Sequence, residues 1–137
     1  MYQSYENLEV WLLSVDLCVR VYGMMCTCCD YGFKDQICRA SVSIPSNIAE
    51  GMERDSRKET VHFLHIAKGS CAEVRTQLLI ASKIGYLDES KFAELKEDAE
   101  SISRMLHGLI KSLKPNPTEP EPKQRRSRKI PRKHDGI

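Results

Sequence analysis

Three linked segments decide the fold of this chain: RASVSIPSNIAEG at residues 39–51, HFLHIAKGS at residues 62–70 and IGYL at residues 84–87. In and just before the first segment, small and apolar residues recur at helical spacing and predict one buried helix face. They are Ile37, Ala40, Ser41, Ile44 and Ile48. The helix should begin near Phe33 and end near Gly51. Pro45 in its middle removes a backbone donor, so a kink is expected there.

The second segment belongs to a third helix, whose start is marked by Ser56 and Glu59 in the pattern of a capping box. Two apolar lines follow along it. The core-facing line is Leu64, Ala67, Cys71, Val74, Leu78 and Ala81, and the flanking line is Phe63, Ile66, Ile80 and Ile84. We expect the flanking line to bury a contact between subunits. Gly69 inside the helix predicts a close approach of another helix, and Gly85 should end it in the left-handed conformation.

A first helix over about residues 7–26 and a fourth helix after Asp88 complete the pattern. The first should bury Trp11, Val15, Cys18, Tyr22 and Met25, and the fourth Phe92, Leu95, Ala99, Ile102, Leu106, Leu109 and Leu113. Short connections and the lack of a strand pattern predict an all-α, up-down-up-down four-helix bundle over residues 1–114. Residues 115–137, rich in proline, lysine and arginine, are predicted to form a flexible, disordered basic tail.

Charge is distributed unevenly along the 137 residues. The net charge of +2 combines eight basic and three acidic residues from Lys114 onward with thirteen basic and sixteen acidic residues in 1–113. The body is therefore mildly acidic, at −3, and the tail is basic, at +5. No apolar run is long enough to span a membrane, and no signal peptide is visible, so a cytoplasmic protein is expected. Six cysteines in such a protein are expected to be reduced thiols.

The sequence favours a non-enzyme without cofactors. His62 and His65 share a helix face with Glu59 and Glu73 nearby, but no second helix supplies the Glu-x-x-His pattern of bundle metal sites. The Cys26-x-x-Cys29 pair, with Cys28 between, lacks a second ligand pair for zinc. Gly-rich phosphate loops and nucleophile elbows are absent. A small-molecule or metal-binding bundle stays open as the weakest of three hypotheses.

Four polar residues near the apolar lines allow two interpretations: Arg39, Asn47, Glu50 and Glu73. In the first they form a structural network, in which Arg39 pairs with a carboxylate and Asn47 ties the backbone near Pro45, because buried polar groups need partners. In the second they line a ligand pocket. We favour the structural network.

The linked motifs of residues 39–51, Ser56/Glu59, 63–70, 76–81 and 85–87 closely resemble a bacterial family over roughly residues 5–113. This is the family of four-helix-bundle proteins encoded in intervening sequences of large-subunit ribosomal RNA, related to the accessory variability determinant (Avd) of diversity-generating retroelements. The resemblance implies a ring-like homopentamer with a basic surface and without enzymatic activity. It also implies relatives that bind a reverse transcriptase and nucleic acid. The cysteine-rich residues 24–30 and the basic tail depart from the shared pattern.

Basic residues are the candidate nucleic-acid contacts, because repetition around an oligomer would turn a small cluster into a belt of positive charge. On the bundle they are Lys34, Arg39, Arg54, Arg57 and Lys58; in the tail they are Lys123, Arg125, Arg126, Arg128, Lys129, Arg132 and Lys133. Few aromatic residues accompany them, which predicts salt-sensitive phosphate contacts without base readout, with RNA the expected partner. A protein–protein scaffold without nucleic acid is the alternative, and a tail that serves only solubility is also open.

Overall fold

A computed structural model describes residues 4–114. After a 3-10 turn at Tyr5–Asn7, four helices follow: α1 (Glu9–Met25), α2 (Tyr31–Met52), α3 (Arg57–Lys83) and α4 (Glu89–Leu113). Each helix packs against the next and α4 also packs against α1, whereas the backbones of α1 and α3 stay apart on a diagonal of the bundle. The predicted all-α four-helix bundle is confirmed. The prediction for residues 115–137 lies outside the described residues.

The buried faces of α2 and α3 are those that the sequence predicts. All five predicted positions of α2 and all six of the core-facing line of α3 are buried. The prediction for α1 is wrong by about one position. Its buried residues are Val10, Ser14, Leu17, Val21 and Met25, whereas Trp11, Val15 and Cys18 are half-buried and Tyr22 is 48% exposed. The physical reason is that α1 is apolar on two sides, so either line fits a helical period.

Pro45 lies within one continuous helix, and hydrogen bonds of the Asn47 side chain span it. The Asn47 amide nitrogen donates to the Ser43 carbonyl at 2.8 Å and to the Ser43 hydroxyl at 2.9 Å. The Ser43 and Ser70 hydroxyls, 2.8 Å apart, then connect α2 to α3. Asn47 therefore ties the backbone near Pro45, as expected. The polar contacts also explain why Ser70 is buried in α3.

The close helix approach lies at Gly51, and the prediction for Gly69 is wrong. A Cβ atom at Gly69 would have nothing within 4 Å, whereas a Cβ at Gly51 would lie 2.9 Å from the Phe63 Cβ and 3.1 Å from the Thr60 carbonyl oxygen. The C-terminal end of α2 thus contacts the first turns of α3 backbone to backbone. Gly85, with a φ of 83°, ends the α3 region as predicted, and the Tyr86 amide bonds back to the Ala81 carbonyl at 2.8 Å.

Asp30 holds together the end of the bundle at which α2 begins. Its Oδ1 accepts from the Phe33 amide at 3.2 Å as the N-cap of α2, and its Oδ2 accepts from the Tyr86 hydroxyl at 2.8 Å. The hydrogen bond to this carboxylate raises the pKa of Tyr86 above its ordinary value. Phe33 and Tyr86 pack edge to face, with ring centroids 5.7 Å apart. One carboxylate therefore links the α1–α2 and α3–α4 connections.

Asp30→Ala should lower the free energy of unfolding by about 1 kcal/mol through loss of the cap, and further through loss of the Tyr86 contact. The matched control is Asp88→Ala. Asp88 caps α4 through the Lys91 amide at 2.8 Å, and within residues 4–114 its side chain makes no hydrogen bond or ion pair with another helix. Urea unfolding compares the two variants, and ultraviolet titration of the tyrosines should show one phenol returning to a lower pKa only in Asp30→Ala. Equal losses and unchanged tyrosine titration would contradict the double role.

Candidate nucleic-acid interface

The connection between α2 and α3 brings together three of the predicted basic residues, Arg54, Arg57 and Lys58. Arg57 and Lys58 are exposed on the first turn of α3. Two cations at a helix N-terminus are unfavourable for helix stability, since the helix dipole is positive there. The same arrangement favours an incoming phosphate, which meets two cations and the free backbone amides together. We call Arg54, Arg57 and Lys58 the basic corner.

Within one copy, the basic corner is balanced by carboxylates. The Arg54 guanidinium pairs with Glu50 one turn earlier and lies over the Phe63 ring, 4.8 Å from its centroid. Acidic residues alternate with the three cations along the same segment: Glu50, Glu53, Asp55 and Glu59. Arg54 is thus paired within its own chain, whereas Arg57 and Lys58 form no ion pair with any residue in 4–114.

Lys34 and Arg39, the other two predicted contacts on the bundle, are not brought to the basic corner. Lys34 lies in the first turn of α2 and Arg54 follows the last residue of α2 by two positions, so the 18 residue steps from Lys34 to Met52 alone span about 27 Å. Arg39 lies between them, and its Nε is 3.0 Å from Asp35 Oδ2, with the arginine side chain 79% exposed. A single short phosphate segment cannot touch all five residues on one copy.

The seven predicted tail contacts, from Lys123 to Lys133, lie outside the described residues. Their attachment point is nevertheless defined. The helices alternate in direction, so α4 ends where α2 ends and α3 begins, and Lys114 follows α4 at that end. The chain therefore leaves the bundle at the end that has the basic corner.

The four residues predicted at a subunit interface differ in exposure. Ile66, Ile80 and Ile84 are large apolar side chains with between 39% and 52% of their surface exposed. Phe63 is half-buried, because it packs over Gly51 and is covered by Arg54 and His62 of its own chain. We call Ile66, Ile80 and Ile84 the isoleucine stripe of α3. They remain predictions as interface residues, as does Phe63.

An ion cluster between α1 and α4 was not predicted from the sequence. Arg20 reaches across to α4, where it pairs with Asp98 and lies 3.4 Å from Glu94 Oε1, and its Nε is 3.0 Å from Asp16 Oδ2 on α1. Partial burial is the largest effect on the Arg20 pKa and lowers it, but the hydrogen bond and charge of Asp98, with the other two carboxylates, leave the pKa raised. Arg20 therefore stays charged and joins the two helices.

Side chains suited to catalysis or metal binding do not converge in the described part of the chain. His62 and His65 are both exposed, and residues 4–114 contain no group of three or more histidine, cysteine or acidic side chains placed to hold a metal ion. Burial raises the pKa of the Cys71 thiol to about 12, which keeps it protonated and unreactive. The structure thus offers no assembled reaction site among these residues, and the absence of enzymatic activity stays a prediction.

None of the helices between residues 4 and 114 combines the length and apolar character needed to cross a membrane.

Among solved structures, the fold is similar to that of a protein of unknown function from the S23 ribosomal protein family of Bacteroides thetaiotaomicron. The two share 24% sequence identity over 74% of this chain and 98% of the other, with a TM-score of 0.71. Among curated proteins, none matches. The model of a family described as 23S rRNA-intervening sequence protein matches residues 6–108, from the 3-10 turn into the last turns of α4. This match spans most of the chain, and the protein therefore belongs to the family of 23S rRNA-intervening sequence proteins.

Proposed function

We propose that this protein is a non-enzymatic, homo-oligomeric accessory protein that binds nucleic acid, RNA more than DNA, through phosphate contacts. The supporting observation is the distribution of positive charge. The chain leaves the bundle at Lys114, at the end of the basic corner, and residues 114–137 hold eight basic residues against three acidic ones. Polyanion contacts would therefore begin at one end of the bundle and continue into the tail.

The tail should provide the larger part of the affinity. The bundle has a net charge of −3, and several of its cations are engaged in ion pairs within the chain, such as Arg20, Arg39 and Arg54. Arg57 and Lys58 are the corner cations best able to accept a phosphate. Because so few cations per copy are available on the bundle, an oligomer is part of the proposal: repeated corners and tails add avidity without new contacts. Five copies in a ring is the assembly that the family resemblance suggests.

The nature of the contacts limits what the protein can recognise. Lysine and arginine without accompanying aromatic side chains bind phosphates and recognise the shape of the nucleic acid. They do not read bases by stacking. Structured RNA or an RNA–DNA hybrid presents closely spaced phosphates and suits such a surface. Through the resemblance to Avd, a reverse transcriptase of a diversity-generating retroelement is the protein partner we propose. Ribosomal RNA that contains the intervening sequence is the other candidate context.

Filter binding of a structured RNA, with the full chain at two salt concentrations, tests the proposal. Affinity should fall steeply as salt rises, because each neutralised phosphate releases counterions. Deleting residues 115–137 should abolish most of the binding and flatten the salt dependence. Absence of binding at low salt would overturn the proposal.

A charge-matched pair of variants separates the basic corner from general electrostatics. Arg57→Gln with Lys58→Gln should weaken RNA binding further in the tail-deleted chain. The control, Lys83→Gln with Lys91→Gln, removes the same charge at the opposite end of the bundle, where α3 ends and α4 begins. Equal losses for both pairs would show that net charge alone, and not the corner, determines binding.

A protein–protein scaffold is the second candidate function. It is favoured by the acidic net charge of the bundle and by large apolar side chains exposed on α1 and α3. In that case the assembly would form normally and RNA would not bind at any salt concentration.

A further inference from the structure

Two segments of the bundle carry positive charge without any acidic side chain. In α4, residues 89–100 contain five acidic residues and two lysines, whereas residues 101–114 contain three lysines and arginines and no aspartate or glutamate. In α3, residues 60–72 are also free of acidic residues. The two acid-free segments belong to helices that pack against each other. Their basic side chains are His62, His65 and Lys68 on α3 and Arg104, His107, Lys111 and Lys114 on α4.

A direct contact between two basic side chains joins these segments. The ammonium nitrogen of Lys68, a half-buried residue, lies 3.3 Å from His107 Nδ1. Because an ammonium can only donate, the imidazole nitrogen accepts in this contact. Lys68 forms no ion pair with any residue in 4–114, so its partner is an imidazole and not a carboxylate. An anion suits this place, since it can accept from the ammonium and from an imidazole N–H together.

The contact between Lys68 and His107 sets the register of the two antiparallel helices and so places the neighbouring cations. Lys111 lies one turn closer than His107 to the end of α4, and Arg104 lies about one turn before His107. On α3, Arg57 precedes Lys68 by eleven residues, which is about three full turns, so the two share one side of the helix. The cations of the α3–α4 surface therefore continue the basic corner along the bundle.

The basic side chains of this surface are available to an outside partner. The surface ends toward the opposite end of α4 at Glu100, which pairs with Lys96 at 3.6 Å. Arg104 donates to the neutral Ser101 hydroxyl at 3.1 Å. We define the α3–α4 basic face by four residues: Lys68, Arg104, His107 and Lys111. Three of them are exposed, and within residues 4–114 none of the four takes part in an ion pair.

The surroundings of the α3–α4 basic face favour a chain of phosphates over a docked helix or a lipid surface. Helices and lipids that dock need large exposed apolar side chains. The described helix α4 has none, and Ile66, which is 39% exposed, lies about 200° around α3 from Lys68. The chain also leaves α4 through Lys114, within one turn of Lys111. A phosphate chain held by the basic tail is thereby brought to this face.

We propose that the α3–α4 basic face is a second phosphate-binding surface, along which RNA held by the tail and the basic corner continues over the bundle. The inference rests on the RNA binding of the proposed function and assigns it residues beyond those predicted from the sequence. Lys68 and His107 bind one phosphate between the two helices. Arg104 and Lys111 bind the phosphates on either side of it. Each copy then presents a track of phosphate contacts that begins at the tail and reaches the middle of α3.

Acylation of lysine amines in the unaltered full chain, measured by mass spectrometry, tests this assignment. A short RNA hairpin with a fully paired stem should slow the acylation of Lys68 and Lys111 as much as that of the tail lysines. Lys83 and Lys91, where α3 ends and α4 begins, should keep their rates. Protection confined to the tail and the basic corner would overturn the inference and leave the proposed function intact. Absence of protection at every lysine would refute both. Polyglutamate that protects Lys68 and Lys111 better than the hairpin would assign the face to an acidic protein instead.

A double variant of the full chain, Lys68→Gln with Lys111→Gln, measures the number of contacts. Each phosphate contact contributes about 0.7–0.9 to the slope of log affinity against log salt concentration, so the loss of two should lower that slope by about 1.5. The charge-matched control, Lys83→Gln with Lys91→Gln, should keep the slope of the parent. Lys68→Arg with Lys111→Arg should restore it, because the charges remain. Circular dichroism verifies that the variants are folded. Equal slopes for the two glutamine pairs would contradict phosphate binding at this face.

Discussion

Replacing Gly51 with alanine should lower the free energy of unfolding by about 2 kcal/mol, although alanine is the better helix former. The new Cβ would lie 2.9 Å from the Phe63 Cβ and 3.1 Å from the Thr60 carbonyl oxygen. Neither atom belongs to the far end of a flexible side chain, so relief requires α2 and α3 to move apart. The Ser43–Ser70 hydrogen bond joins these helices and resists such a movement. Urea unfolding at a fixed protein concentration measures the loss.

Gly69→Ala is the matched control, with the opposite sign. It also replaces a glycine within a long helix, but its Cβ would meet nothing within 4 Å. It should therefore stabilise the protein by about 0.5–1 kcal/mol, the difference in helix propensity. A gain in stability from both substitutions would show that the α2–α3 contact at Gly51 is looser than described.

Arg20→Leu should lower the free energy of unfolding by about 2 kcal/mol, between the values for exposed and fully buried ion pairs. Leucine keeps most of the apolar stem, so the loss reports on charge. The variant leaves Asp16, Glu94 and Asp98 close together without a cation between them. Their repulsion weakens the contact between α1 and α4. Urea unfolding at two salt concentrations measures the loss, which should shrink at high salt because ions screen the repulsion between the carboxylates.

Arg39→Leu provides the comparison for Arg20→Leu. Arg39 has one partner, Asp35 on its own helix, and its side chain is 79% exposed, against 30% for Arg20. Such a pair contributes at most about 0.5 kcal/mol, so the loss on its removal should be small at either salt concentration. If the two arginine variants lose the same stability at pH 7, the α1–α4 cluster does not hold the helices together.

The sequence predicted the buried sides of α2 and α3 well, and in α4 it identified Leu95, Ala99, Ile102 and Leu106, all of them buried. In α3 the line of closest fit to the helical period is the one that faces the core. The residues of the line from Leu64 to Ala81 recur at helical spacing, with mostly polar residues between them. Ser56, Gly85 and Asp88 mark the helix ends. In α1 the same reasoning was wrong, since Trp11 and Val10 both begin lines of helical spacing. Periodicity identifies an amphipathic helix, but it cannot decide which of two apolar sides faces the core. That choice depends on the neighbouring helices.

For the candidate site, the sequence identified the cations but not their surroundings. Arg57 and Lys58 remain exposed as expected, whereas Arg54 is engaged with Glu50 and Phe63. Lys34 lies at the start of α2, a helix length away from the basic corner, as the predicted bounds of α2 already imply. The two partners of Arg20 on α4 lie 74 and 78 residues away along the chain. No local sequence pattern predicts a contact between residues so far apart in the chain. The ion cluster could therefore be found only in the folded structure.

The common end shared by Lys114 and the basic corner has a consequence for shape. In a disc of subunits whose rotation axis runs parallel to the bundles, symmetry turns every bundle the same way up. Such a disc would have two dissimilar sides: one from which all C-terminal segments start, and an opposite one closed by Asp30 and Tyr86. A long polyanion could then lie across a single side and meet several copies at once, while the other side stays available to a protein.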